Sequence, residues 1–110
     1  MTPAEVVQAQ LDAYNAQDVD ALCASYTEDC VLAGFNGDVT SRGRHSLRER
    51  HVNLFAQFPQ NKARLVHRAV AGDYVIDHEH VTRAPGGEEF EVVVVYAFRD
   101  GLIARADFIR

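Results

Sequence analysis

The sequence predicts a single α+β domain, and three observations carry that prediction. Apolar residues recur at helical spacing as far as Phe58, and from Ala63 onward the pattern changes to strand-like runs separated by turn dipeptides. Within the second part, Val92-Val93-Val94-Val95 is apolar on both faces, whereas an antiparallel sheet with one side in water alternates. Such a strand needs cover on both sides. Three N-terminal helices packed on one face of a twisted antiparallel sheet supply one cover. The other is most simply a second copy of the chain, which makes a homodimer through the outer sheet face the expected assembly.

The elements follow in order. Thr2-Pro3-Ala4-Glu5 reads as a capping box with proline at the first helical position, and Val7, Leu11 and Tyr14 form the apolar stripe of the helix it opens. Asn15 to Gln17 close that helix, and Asp18 caps a shorter one whose Val19, Leu22, Cys23 and Tyr26 face the core. Cys30 to Phe35 is a short strand ended by the turn Asn36-Gly37-Asp38. Gly43 leads into a third helix in which His51 lies within the stripe Leu47, Leu54, Phe55 and Phe58, and Pro59 stops it. Gly72-Asp73, Pro85-Gly86-Gly87 and Asp100-Gly101 then divide a four-stranded antiparallel meander.

At 110 residues the chain, taken as one domain over 1–110, buries roughly two-thirds of its unfolded surface. Its 47% hydrophobic and 25% charged content is that of a folded globular protein. A net charge of −5 without a basic cluster argues against nucleic acid. No run approaches the ~20 apolar residues of a membrane span, and Met1 to Glu5 lack the features of a signal peptide, so a cytoplasmic location is expected. Cys23 and Cys30 are then expected to be reduced and buried rather than bridged.

One stretch departs from the pattern. Val75-Ile76-Asp77-His78-Glu79-His80-Val81-Thr82 carries four ionisable side chains where a core strand is apolar, so either the carboxylates or the histidines look inward.

Two short helices within Leu11 to Tyr26 joined by Asn15-Ala16-Gln17-Asp18-Val19-Asp20, the strand Cys30 to Phe35, the Gly43-Arg44 lead and the closing hairpin Phe98-Arg99-Asp100-Gly101-Leu102-Ile103 together resemble one superfamily. It is the nuclear-transport-factor-2-like superfamily, in its SnoaL-like or ketosteroid-isomerase-like form, and the resemblance spans nearly the whole chain. It implies a cone-shaped α+β barrel around a ligand cavity, with dimers formed through the convex sheet face. It transfers no known catalytic set. The ketosteroid isomerase base, tyrosine and second acid fall on Gly34, Gln10 and Val95, and the epoxide-hydrolase Asp-Arg-Asp set on Thr82, His80 and Phe108.

The same ungapped alignment turns His78, His80 and Thr82 toward the cavity, followed by Glu91, Val93 and Val95, and by Ala104, Ala106 and Phe108. From the helices and first strand it adds Tyr14, Tyr26, Asn36 and His51. A two-residue Gly86-Gly87 turn agrees, pairing Thr82 with Glu91 and His78 with Val95, while Asp100-Gly101 pairs Val95 with Ala106. Asp77 and Glu79 are thereby expected on the convex face.

These residues imply a small-molecule-binding protein. One reading is a cofactor-independent isomerase, cyclase or hydrolase-type enzyme that uses His78 and His80 as acid and base on a hydrophobic substrate. The alternative is a non-catalytic ligand-binding or dimerisation domain, with the histidines satisfied by hydrogen bonds. His51, His78, His80 and Glu91 could in principle hold a divalent metal, but their spacing matches no metal motif, and no cofactor is expected.

Overall fold

A computed structural model describes all of residues 1–110. The elements run α1 (Pro3–Ala16), α2 (Val19–Ala24), β1 (Tyr26–Gly34), β2 (Val39–Arg42), α3 (Gly43–Gln57), β3 (Lys62–Ala71), β4 (Tyr74–Thr82), β5 (Glu89–Arg99) and β6 (Leu102–Ile109). The strands form one curved, unclosed sheet in the order β2-β1-β6-β5-β4-β3, and the three helices pack on it. The β3 to β6 meander is antiparallel as expected, but β1 joins β6 in parallel, so the sheet is mixed.

Local chemistry explains the boundaries. The Thr2 hydroxyl accepts the Glu5 N–H at 3.2 Å while the Thr2 N–H donates to Glu5 Oε1 at 2.8 Å, which satisfies two otherwise orphaned donors. Gln17 ends α1 in the left-handed region at φ 57°, and the Asp18 carboxylate accepts the Ala21 N–H at 3.1 Å to start α2. Tyr26 opens β1 rather than closing α2, and the strand is longer at its start than Cys30 to Phe35. Leu22, Leu32, Leu47, Val75, Val94 and Ile103, from helices and sheet alike, are fully enclosed between the two layers. Cys23 and Cys30 are both buried and unbridged. No helix is long and apolar enough to cross a membrane.

Two turns set which residues share a face. Ala84 C=O accepts the Gly87 N–H at 2.9 Å with Gly86 at φ 74°, so Pro85-Gly86 form the centre of a type II-like turn rather than Gly86-Gly87. Thr82 therefore pairs with Glu89, His80 with Glu91 and His78 with Val93. That is a shift of two relative to the expected register, which leaves the residues on each face unchanged.

The second turn has the larger consequence. Asp100 and Gly101, at φ 55° and 80°, close the β5–β6 hairpin and pair Arg99 with Leu102 and Phe98 with Ile103. The register then slips, so that Ala97 pairs with Arg105 and Ala104 is left over as a bulge. Beyond it Tyr96 pairs with Ala106 and Val94 with Phe108, where an unbroken ladder would have placed Val95 and Val93 beside them. One extra residue thus exchanges the two faces of β5, and with them those of β4.

Candidate functional site

The inner face of β4 is Val75, Asp77, Glu79 and Val81, all buried, and its neighbours on β5 are Val92, Val94 and Tyr96. His78 and His80 lie on the outer face. The orientation expected from the alignment is therefore reversed. Their imidazoles are paired in the open, His78 Nε2 with Glu91 Oε1 at 2.8 Å and His80 Nε2 with Glu89 Oε1 at 2.9 Å. Thr82, Glu91, Val93 and Val95 share that outer face, and Asn36 is exposed in the turn after β1 at φ 54°. None of these seven residues reaches the cavity. Of the expected lining, Tyr14, Tyr26, His51 and Phe108 do border it.

The cavity, about 190 Å³, lies between the concave sheet face and the helices α1 and α3. Leu11 and Leu54 from the helices, with Leu32, Val81, Val92 and Val94 from the sheet, give it an apolar wall. Into that wall projects Glu79, only 7% exposed. Loss of hydration and, to a smaller extent, the neighbouring Asp77 charge together raise its carboxyl pKa to about 7, against partial opposition from Arg68. No hydrogen bond contributes to the shift, so the carboxyl is not committed to a protein partner.

Asp77, two residues away on the same face, has a different environment. Arg68 on β3 grips it in a fork, Nε to Oδ1 at 2.7 Å and Nη2 to Oδ2 at 2.9 Å, and Arg68 Nη1 donates to Gln8 Oε1 on α1 at 3.0 Å. Two carboxyls on one strand are thus separated in role, one locked in an ion pair that ties sheet to helix and one left open to the cavity.

Tyr14, Tyr26, Tyr96, His51 and Gln10 add uncharged polar groups to the same lining. Burial raises the phenol pKa of both Tyr26 and Tyr96, and the Glu79 charge adds to each shift. His51 Nδ1–H donates to Leu47 C=O at 2.9 Å, so the ring's free Nε2 is an acceptor, and burial lowers its pKa. Tyr14 stacks edge-on against His51, and its phenolic oxygen accepts from Asn61 Nδ2 at 2.8 Å. Gln10, on α1, is 5% exposed and its carboxamide oxygen has no hydrogen-bond partner.

Three arginines stand around the rest of the lining. Arg83 Nη1 donates to Asn61 Oδ1 at 2.9 Å and its guanidinium lies 4.9 Å from the Phe90 ring centroid. Arg110 lies 3.5 Å from the same ring, and Arg50 lies 5.9 Å from Phe108. No three His, Cys, Asp or Glu side chains converge at a metal-sized site, and His51 is on the other side of the sheet from His78 and His80.

Sequence reasoning therefore missed Gln10, Arg50, Glu79, Arg83, Tyr96 and Arg110. A signal for the correct face existed on β5: Phe90, Val92, Val94 and Tyr96 form a more apolar set than Glu89, Glu91, Val93 and Val95.

Comparison with known proteins agrees with the fold. The sequence profile of the SnoaL-like domain matches residues 7–106. An uncharacterised cystatin-fold protein from Novosphingobium aromaticivorans is similar over 100% of this chain and 99% of its own, with 40% identity and a TM-score of 0.95. A Sinorhizobium meliloti protein named as a proposed polyketide cyclase shares 22% identity over 99% of this chain and all of its own, with a TM-score of 0.82. A Catenulispora acidiphila protein with a ketosteroid-isomerase-like fold shares 18% identity over 99% of this chain and 87% of its own, also at 0.82. Among curated proteins no sequence matches. The chain belongs to the SnoaL-like domain family.

Proposed function

We propose that this protein is a small-molecule enzyme of the proton-transfer kind, with Glu79 as the group that takes and returns the proton. The supporting observation is a carboxyl with a pKa near 7, uncommitted to any hydrogen bond, in an otherwise apolar cavity. Its carboxylate would remove a proton from carbon next to a substrate carbonyl, and the Tyr26 or Tyr96 phenol would donate a hydrogen bond to the enolate oxygen. The same carboxylic acid would return the proton at a second position. A cavity of about 190 Å³ is smaller than the roughly 300 Å³ at which pockets for drug-sized ligands begin, which favours a substrate of one or two rings.

Exchange of the α-hydrogens of phenylacetone for deuterium, followed by NMR, tests the reading without knowledge of the natural substrate. Exchange should rise with the ionised fraction of Glu79, with a midpoint near pH 7, and disappear in Glu79→Gln. Exchange that persists in Glu79→Gln would refute it. The alternative of a binding cavity without turnover is favoured by the replacement of the ketosteroid isomerase acids by Gly34 and Val95. It predicts ligand binding with no exchange in the native protein.

We also propose that the convex face is a homodimer contact. Ile76 and Ile109 remain 38% and 42% exposed there, and the ladder sets them beside Val95 and Val93 respectively. Sedimentation should give twice the 12.2 kDa of one chain, and Ile76→Asp should return a folded monomer.

A further inference from the structure

We propose that the cavity selects small apolar carboxylates, the anionic head held at the mouth by Arg83 and Arg110 with Arg50 nearby, and the apolar body directed inward toward Glu79. This rests on the reading of the cavity as a small-molecule site and adds the charge and orientation of what enters. The molecule as a whole carries −5, yet the cavity lining holds three arginines against the single acid Glu79. A local reversal of sign at a concave surface concentrates anions and orients them.

The arginines are positioned before any ligand arrives. Arg83 is fixed by the fully buried Asn61, lies between the rings of Phe58 and Phe90 at 5.5 and 4.9 Å, and leaves only 17% of its side chain exposed. Asn61 also donates to Tyr14, so the guanidinium is tied to the cavity wall through one amide. One acid meets these arginines: Arg110 Nη2 donates to Glu88 Oε2 at 3.3 Å, and the same carboxylate stands 4.0 Å from Arg83, with 59% of its side chain exposed to water. A planar guanidinium held this way keeps hydrogen-bond donors for a carboxylate. Glu79 opposes additional negative charge, which favours a single anionic head over a dianion.

The probes are 4-phenylbutanoate and its neutral analogue 4-phenylbutanamide, titrated at pH 7 and low salt by calorimetry. The native protein should bind the carboxylate at least about tenfold more tightly than the amide, with the preference weakening as salt is raised. Arg83→Gln should lose most of that preference while its affinity for the amide stays within about twofold. Arg110→Gln, at a more exposed position, should lose part of it and keeps the test decisive if Arg83→Gln fails to fold. Equal binding of the two probes would overturn the proposal and leave the small-molecule reading standing. A preference that survives the Arg83→Gln, Arg110→Gln double variant would overturn the assignment to these arginines. Binding of neither probe at millimolar concentration would overturn the proposal together with the cavity reading beneath it.

Discussion

The two faces of β4 carry the same kind of cargo and treat it in opposite ways. Outside, His78 and His80 meet Glu91 and Glu89 in pairs open to water, where charges are hydrated and screened. Inside, Asp77 is fully enclosed and survives by a two-pronged bond to Arg68, while Glu79 has no such partner and has its pKa raised. Adjacent residues of one strand thus supply surface pairs, a structural ion pair and a poised acid. Position relative to the cavity decides among these roles, because desolvation acts on one face only.

That contrast can be broken most severely at its origin. Deleting Ala104 should remove the bulge and force either Ile103 or the pair Ala106 and Phe108 out of the core, so the variant should show no cooperative thermal transition. A cooperative, near-native melt would mean that the bulge does not set the faces. Arg68→Met should come next, destabilising by about 3–5 kcal/mol in urea titration, because it strands a buried carboxylate.

Glu79 should give a smaller, pH-dependent effect. Its folded pKa of about 7 exceeds the ordinary 4.5, so the folded state holds its proton more tightly across that interval. The native protein should therefore lose stability as pH rises through the interval, with the loss complete above about pH 7. Relative to Glu79→Gln, the loss between pH 5 and pH 8 should be about 2–3 kcal/mol, and parallel stability profiles for the two proteins would contradict it. On the outer face, His78→Ala should change stability by no more than about 1 kcal/mol and leave phenylacetone exchange intact. A loss of exchange there would return catalysis to the histidines.

Most of the architecture was legible in the sequence because it rests on local chemistry. The Thr2–Glu5 box, the Asp18 cap, the stop at Pro59 and the turns at Gly72, Pro85 and Asp100 each mark a boundary through one or two residues. The short β2 and the parallel pairing of β1 with β6 were not legible, since both depend on contacts distant in the chain. The site was legible on its helical side, where Tyr14 and His51 follow from the apolar stripes. It failed on the sheet side for a single physical reason. Ala104 resembles any other strand residue, yet as a bulge it inverts the faces of β5 and β4 relative to Ala106 and Phe108 on β6. The apolar contrast between the two faces of β5 outweighs register counted from turns, and it favours Glu79.

The most direct measurement is a carbon-13 NMR titration of the Glu79 side-chain carboxyl, assigned by its absence in Glu79→Gln. A midpoint near pH 7 that is unchanged in His78→Ala and His80→Ala is the expected result. A midpoint near the ordinary value of 4.5 would place this carboxyl in water and contradict the account.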